Sequence, residues 1–176
     1  MPKARLATAW LDGCSGCHMS LLDMDERIIE IAEKADFVYT PYVDAKDYPD
    51  NVDVALVEGA VATTGDRDKI IKIRAHTKIL VSLGDCAVTG NVPSMRNPFG
   101  VASVLDRAYR ENVTDPTHNA PPIDKVPLML CNATPIHETV KVDYYIPGCP
   151  PSADVIYNFV KDLLEGRDPN HHLKFG

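Results

Sequence analysis

At 176 residues and 45% hydrophobic content, the chain is long enough to bury roughly two thirds of its unfolded surface and to fold as one domain without disulfide staples. A net charge of −7, with no basic patch interleaved with aromatics, argues against nucleic-acid binding, because phosphate contact needs clustered lysine and arginine. No run of about 18 apolar residues offers a membrane span, and Met1 to Ala9 lacks the apolar core of a leader, so a soluble, cytoplasmic protein is expected, its five cysteines free for chemistry.

Taken in order, Ala4 to Leu11 reads as a mostly apolar strand. The loop after it carries Cys14 and Cys17, with Gly13 and Gly16 expected at positive φ so that the backbone can approach closely. Ser20 offers an N-cap to a helix running to about Ala35, with Leu21, Met24, Ile28, Ile31 and Ala35 on its apolar face. Asp23, Asp25 and Glu26 fall in its first turns, where negative charge suits the helix dipole. Phe37 to Val43 is a second strand, set at an edge by Pro41. Val52 to Val57 is more continuously apolar, hence central, and ends at Glu58-Gly59.

Asp66 to about His76 forms a helix with Ile70, Ile71 and Ile73 as buried candidates, and Lys78 to Leu83 is a fourth strand that runs directly into Gly84-Asp85-Cys86. Val101 to Arg110 is a helix with Val101, Val104, Leu105 and Ala108 facing inward. A proline-containing loop then spans Glu111 to Pro127, and Pro127 to Leu130 is a short strand. Tyr144 to Ile146 is a brief extended segment leading to Gly148-Cys149. The last helix, Ser152 to Glu165, packs through Val155, Ile156, Phe159, Val160 and Leu163 and stops at Gly166 and Pro169.

Alternating strands and helices imply right-handed crossovers and a parallel sheet covered on both faces, and a flavodoxin-like α/β order is the expected architecture for the single domain 1–176. In such sheets ligands lie beyond the carboxyl ends of the strands, near the point where strand order reverses. Cys14, Cys17, Glu58, Cys86 and Cys149 all follow expected strand ends, so the topology would gather them on one edge.

The pair Cys14-x-x-Cys17 alone fits a redox dithiol, half of a zinc site or an iron-sulfur corner. With Cys86 and Cys149 added, four thiolates can hold structural zinc or a [4Fe-4S] cluster. Structural zinc usually takes two local knuckles of a small module, whereas here one pair is followed by single cysteines from separate loops of a large domain.

The ordered set C-x-x-C, then Gly84-Asp85-Cys86, then Gly148-Cys149-Pro150-Pro151 resembles the cluster-binding pattern of nickel-iron hydrogenase small subunits over nearly the whole chain. A related quinone-linked NADH dehydrogenase subunit has adjacent cysteines at the first position, whereas Ser15 and Gly16 separate Cys14 from Cys17 here, as in hydrogenases. The absence of a twin-arginine signal and of an added cluster-bearing domain makes the chain similar to the short small subunit of a soluble, bidirectional, NAD-reducing hydrogenase. The resemblance implies one [4Fe-4S] cluster on Cys14, Cys17, Cys86 and Cys149, proximal to the nickel-iron centre of a separate large subunit and relaying electrons to a diaphorase that reduces NAD. With no nickel-binding cysteine pairs and no G-x-G-x-x-G, the chain is expected to be inert by itself.

Cys131 matches no ligand in the pattern and is expected to be a small buried hydrophobe, with a swap into the ligand set as the alternative. Glu58 is expected either to tune the cluster or pass protons, or to cap the Gly59 turn, and His18 to lie at the subunit contact or beside the cluster. Asp12, Asp85, Thr89 and Gly90 are read as loop-shaping residues, and His171-His172 as a tail. A flavodoxin-like sheet can accept FMN, but no phosphate loop is visible and fold analogy alone carries a flavin. His18, Met19, Met95, Pro150 and Pro151 are the expected contacts with the large subunit.

Overall fold

The alternation of apolar runs and helical stripes resolves, in a computed structural model describing residues 2–115, 117, 120–122 and 124–172 (side chains to 170), into one parallel sheet with helices on both faces. In chain order the elements are β1 (Ala4–Trp10), α1 (Gly16–Leu22), α2 (Arg27–Lys34), β2 (Ala35–Tyr39), β3 (Val52–Glu58), β4 (Val61–Thr63), α3 (Thr64–Ala75) and β5 (Thr77–Leu83). Then follow α4 (Asp85–Thr89), α5 (Asn91–Ser94), α6 (Val101–Asp106), β6 (Met129–Thr134), β7 (Tyr144–Ile146) and α7 (Ala153–Leu164). The main sheet runs β2-β1-β3-β5-β7, parallel at every pairing, which is the flavodoxin-like order with its reversal between β1 and β3.

Period-2 alternation divides the strands between two cores. Leu6, Val54, Leu56 and Val81 pack under α1, α2 and α7 with Ile156 and Phe159. Ala7, Ala9, Ala55, Val57 and Leu80 pack on the other face against Ile70 and Ile73 of α3. Each fully buried Val, Leu, Ile or Phe side chain among these contributes about 1.5–3 kcal/mol. The α3 start is fixed by a capping box, Thr63 Oγ1 accepting from Asp66 N while the Asp66 carboxylate accepts from Thr63 N.

The first helix differs from its expected form. It begins at Gly16 rather than after Ser20, and it is broken at Asp25, whose φ of 52° interrupts the ladder and leaves i to i+3 bonds from Met24, Asp25 and Arg27. Ser20 caps nothing; its hydroxyl donates to Pro151 O at 2.5 Å. Ile71 is 49% exposed because the α3 face carrying Ile70 and Ile73 turns it outward.

The segment between α4 and β7 departs most. No residue of α6 is fully buried: Val101, Val104 and Leu105 of the expected stripe are half-buried while Ala108 is exposed, and the turn after α6 widens to an i to i+5 bond from Asn112 N to Arg107 O. β6 pairs antiparallel with β4 in a separate two-stranded sheet, which Arg96 clamps by donating to the carbonyls of Ala62, Leu130 and Cys131. Cys131 is exposed on this strand, not buried. The loop 111–127 lies partly, and the His171 and His172 side chains wholly, outside the described residues.

Candidate metal centre at the carboxyl edge of the sheet

Strand register brings the site residues into one row. Trp10 pairs with Glu58, Glu58 with Leu83, and Leu83 with Ile146, so the last residues of β1, β3, β5 and β7 are in step across the sheet. Cys14 and Cys17 lie just beyond the first of these, Cys86 beyond the third and Cys149 beyond the fourth, with Glu58 itself ending the second. The expected convergence on one edge is what the fold produces.

Backbone hydrogen bonds then tie the loops to one another. Asp12 N donates to Ala60 O at 3.1 Å and Ala60 N to Asp12 O at 2.7 Å, locking the loop after β1 to the turn after β3. Asp85 Oδ1 accepts from Gly148 N at 2.7 Å while Asp85 N donates to Gly148 O at 2.9 Å, locking the Cys86 loop to the Cys149 loop. Asp85 thus shapes the backbone as expected, and Thr89 and Gly90 close the short helix after Cys86, with Thr89 Oγ1 donating to Asp85 O and Gly90 N to Cys86 O. Trp10 Nε1 holds the cysteine loop through Gly13 O.

The glycine expectation is corrected. Positive φ falls on Ser15, at 64°, and on neither Gly13 nor Gly16. The reason is the early helix start: Ser15 is the residue before Gly16 and must turn the chain into α1. Close approach does occur at Gly16, where an added Cβ would stand 3.2 Å from Cys14 Sγ, and it is tightest at Gly84, at φ 80°, where that carbon would stand 2.2 Å from Cys17 Sγ.

The four thiols are near enough to act on one another electrically, Cys17 with Cys14 and Cys86, and Cys86 with Cys14 and Cys149. Burial first, then the Glu58 carboxylate, pushes the Cys17 thiol well above its ordinary range, and the thiol donates a hydrogen bond to Glu58. Burial also raises Cys86, opposed by a hydrogen bond from the Val92 backbone. Cys14 and Cys149 are exposed, and Asn91 Nδ2 donates to Cys149 Sγ at 3.4 Å. Neither Asn91 nor Val92 was marked by the sequence; a Gly-Asn pair was the sole signal.

Behind Cys17 lies a buried polar group. Glu58 is 2% exposed; its Oε2 accepts from His18 N at 3.1 Å, and its Oε1 is 2.8 Å from His18 Nδ1, although neither of the latter atoms has a well-aligned hydrogen-bond partner. His18 Nε2 shares a proton with Thr8 Oγ1 at 2.9 Å. His18 and Pro151 are buried within the chain, which removes them from the expected contact surface, while Met19, Met95 and Pro150 remain exposed.

The donor set is soft and sulfur-only, and Gly84 leaves room beside Cys17, a combination that fits an iron-sulfur cluster. Among the described residues no group of three or more His, Cys, Asp or Glu side chains is placed to hold a metal ion. Cys131 stands on the second sheet, away from the row.

Residues 14–163 match the family described as NADH ubiquinone oxidoreductase, 20 Kd subunit. The chain is 39% identical over 168 residues to the delta subunit of the NAD-reducing hydrogenase HoxS of Cupriavidus necator, covering 94% of this chain and 80% of that protein. It is 36% identical over 169 residues to one subunit of the F420-non-reducing hydrogenase of Methanothermobacter thermautotrophicus, covering 94% of this chain and 55% of that protein. The chain thus spans about half the length of several curated relatives that it matches. It superposes on a chain of an NAD+-reducing [NiFe]-hydrogenase in the H2-reduced state with a TM-score of 0.93 at 40% identity, covering 99% of this chain and 100% of that one. The resemblance to hydrogenase subunits drawn from the cysteine pattern holds: the chain belongs to the family of the NADH ubiquinone oxidoreductase 20 Kd subunit and is a relative of hydrogenase subunits, that of the NAD-reducing HoxS among them.

Proposed function

We propose that this chain is the electron-transfer small subunit of a cytoplasmic NAD-reducing [NiFe] hydrogenase, a single domain holding one [4Fe-4S] cluster on Cys14, Cys17, Cys86 and Cys149. The observation that supports it most is the row of strand ends, which places four thiols from three separate loops on one edge. A cubane, larger than one ion, suits ligands spread over several loops. When bound there, the cluster supplies one-electron relay.

The chain's own residues do the rest. Asp85 and Gly148 hold the Cys86 and Cys149 loops at fixed separation, and Gly84 lets Cys17 reach the row. Glu58 and His18 keep the inner side of the row shielded from water. Hydrogen oxidation at the large subunit releases two protons and two electrons; NAD+ takes two electrons and one proton at the diaphorase. This chain carries the electrons between them, with its row proximal to the nickel-iron centre.

Contact with the large subunit falls where apolar side chains meet water beside the cysteine loops: Met19 at 57%, Val92 at 61% and Met95 at 69% exposed. Among the described residues no helix is long and apolar enough to cross a membrane, in keeping with the soluble complex proposed. A flavin forms no part of the reading, because the sequence shows no phosphate-binding loop and fold analogy alone would carry one.

Co-expression with a [NiFe] large subunit and a diaphorase, followed by anaerobic size-exclusion and metal analysis, tests this. A complex containing iron and sulfide, with hydrogen-dependent NAD reduction lost when this chain is left out, is the expected result. Stoichiometric zinc without iron, or a monomer with no affinity for the large subunit, overturns it.

A further inference from the structure

After α4 the chain reverses on two left-handed residues, Gly90 at φ 86° and Asn91 at φ 26°. Asparagine is one of the few residues with a side chain that tolerate that region. The turn is pinned at both ends, with Gly90 N donating to Cys86 O at 3.0 Å and Ser94 Oγ to Asn91 O at 2.8 Å. From this one turn two donors leave toward the thiol row: Asn91 Nδ2 toward Cys149 Sγ at 3.4 Å, and the Val92 N–H toward the Cys86 thiol. A ligating thiolate has no proton and can only accept, so the Asn91 amide must present its nitrogen.

We propose that Asn91 is a redox-tuning residue, which through its N–H to Cys149 stabilises the reduced form of the centre that the four cysteines hold. This deepens the cluster reading above and rests on it. Taking up one electron adds one negative charge to the cluster and its thiolates, with no bond made or broken; a donor at a ligand sulfur favours that more negative state and raises the potential. The opposite end of the row carries a carboxylate, Glu58, beside Cys17, whereas the two donors of this turn serve the Cys86–Cys149 side. A residue needed for the turn alone is replaced by glycine at no cost to the potential, because glycine adopts positive φ freely. That separates tuning from shape.

The test is an anaerobic redox titration of the whole hydrogenase complex with dithionite, followed by electron paramagnetic resonance, in wild type, Asn91→Gly and Asn91→Asp. Both variants retain iron, and both midpoints move to lower potential, further for Asn91→Asp, which substitutes a charge for the donor. An unchanged midpoint in iron-replete Asn91→Gly overturns the proposal. Should that variant fail to load iron, Asn91→Asp decides, and an unchanged midpoint there overturns it; loss of iron from both makes Asn91 a purely structural residue and does the same. The cluster reading fails on a different result, namely a wild-type complex without iron or a Cys149→Ser complex with an unaltered cluster signal.

Discussion

The two ends of the thiol row have opposite surroundings. Cys17 is half-buried against Gly84, with the Glu58 carboxylate as a hydrogen-bond partner and His18 and Thr8 behind that carboxylate. Cys149 is exposed and receives an amide hydrogen bond. A neighbouring carboxylate disfavours a thiolate, whereas an N–H favours it. Strand register fixes where the sulfurs are, and the loops decide how each sulfur behaves electrically. A symmetric set of four cysteines in the sequence therefore becomes an asymmetric site.

The comparison breaks outright if the row is not the ligand set. Replacing Cys14, Cys17, Cys86 or Cys149 by serine removes or distorts the cluster, whereas Cys131→Ser leaves it in place, as read by electron paramagnetic resonance and iron content. An intact signal in Cys86→Ser, or its loss in Cys131→Ser, would undo the assignment.

The next largest effect is at the buried end. Gly84→Ala forces a Cβ into the 2.2 Å gap beside Cys17 Sγ while straining φ, and should cost about 3 kcal/mol in denaturant unfolding together with loss of iron. Gly166→Ala, at φ 70° with nothing within 4 Å of the added carbon, costs about 1 kcal/mol and keeps its iron. Equal losses in the two variants would mean that conformation alone, not the crowding at Cys17, sets the Gly84 requirement.

His18→Ala removes the imidazole that faces the buried Glu58 Oε1 and leaves a cavity, while the backbone N–H to Oε2 stays, and should destabilise by about 3 kcal/mol, checked by the same unfolding measurement. Glu58→Gln gives the smallest change and reports on Cys17 directly. Alkylation requires thiolate, and both burial and Glu58 raise the Cys17 pKa, so in iron-stripped protein its labelling rate climbs only at pH above the ordinary thiol range. Removing the carboxylate charge moves that profile to lower pH, and burial keeps part of the shift. Peptide mapping of the labelled cysteines, Cys149 serving as reference, reads it; a profile unmoved by Glu58→Gln would leave burial as the sole cause.

The order of the main sheet and the gathering of the cysteines were legible because parallel buried strands are continuous apolar runs, and those ending at Leu83 and Ile146 lead almost directly into Gly84-Asp85-Cys86 and Gly148-Cys149. What the sequence hid depends on partners far along the chain. β4 is three residues long and pairs with a strand more than sixty residues later, so no local pattern marks it. Asn91 meets Cys149 across a separation of 58 residues. The stripe of Val101, Val104 and Leu105 has helical spacing, but spacing shows only that one face is apolar, not what covers it. Ser15 rather than a glycine took the left-handed turn because the helix start, which local propensity fixes poorly, fell one residue after it.

The reciprocal Asp85–Gly148 lock also sets an order in time. A ribosome releases the chain from its amino end, so β1, β3 and β5 can pair while the residues beyond Leu83 are still being made. At that stage Asp85 has no Gly148 to accept from, Gly84 N has no Ile146 O, and β5 is an open edge. The three-residue β7 closes that edge and delivers Cys149 with the same movement. A nascent chain arrested before Tyr144 therefore exposes three of the row's four thiols on an unfinished sheet, and loading of the proposed cluster has to wait until β7 has left the ribosome.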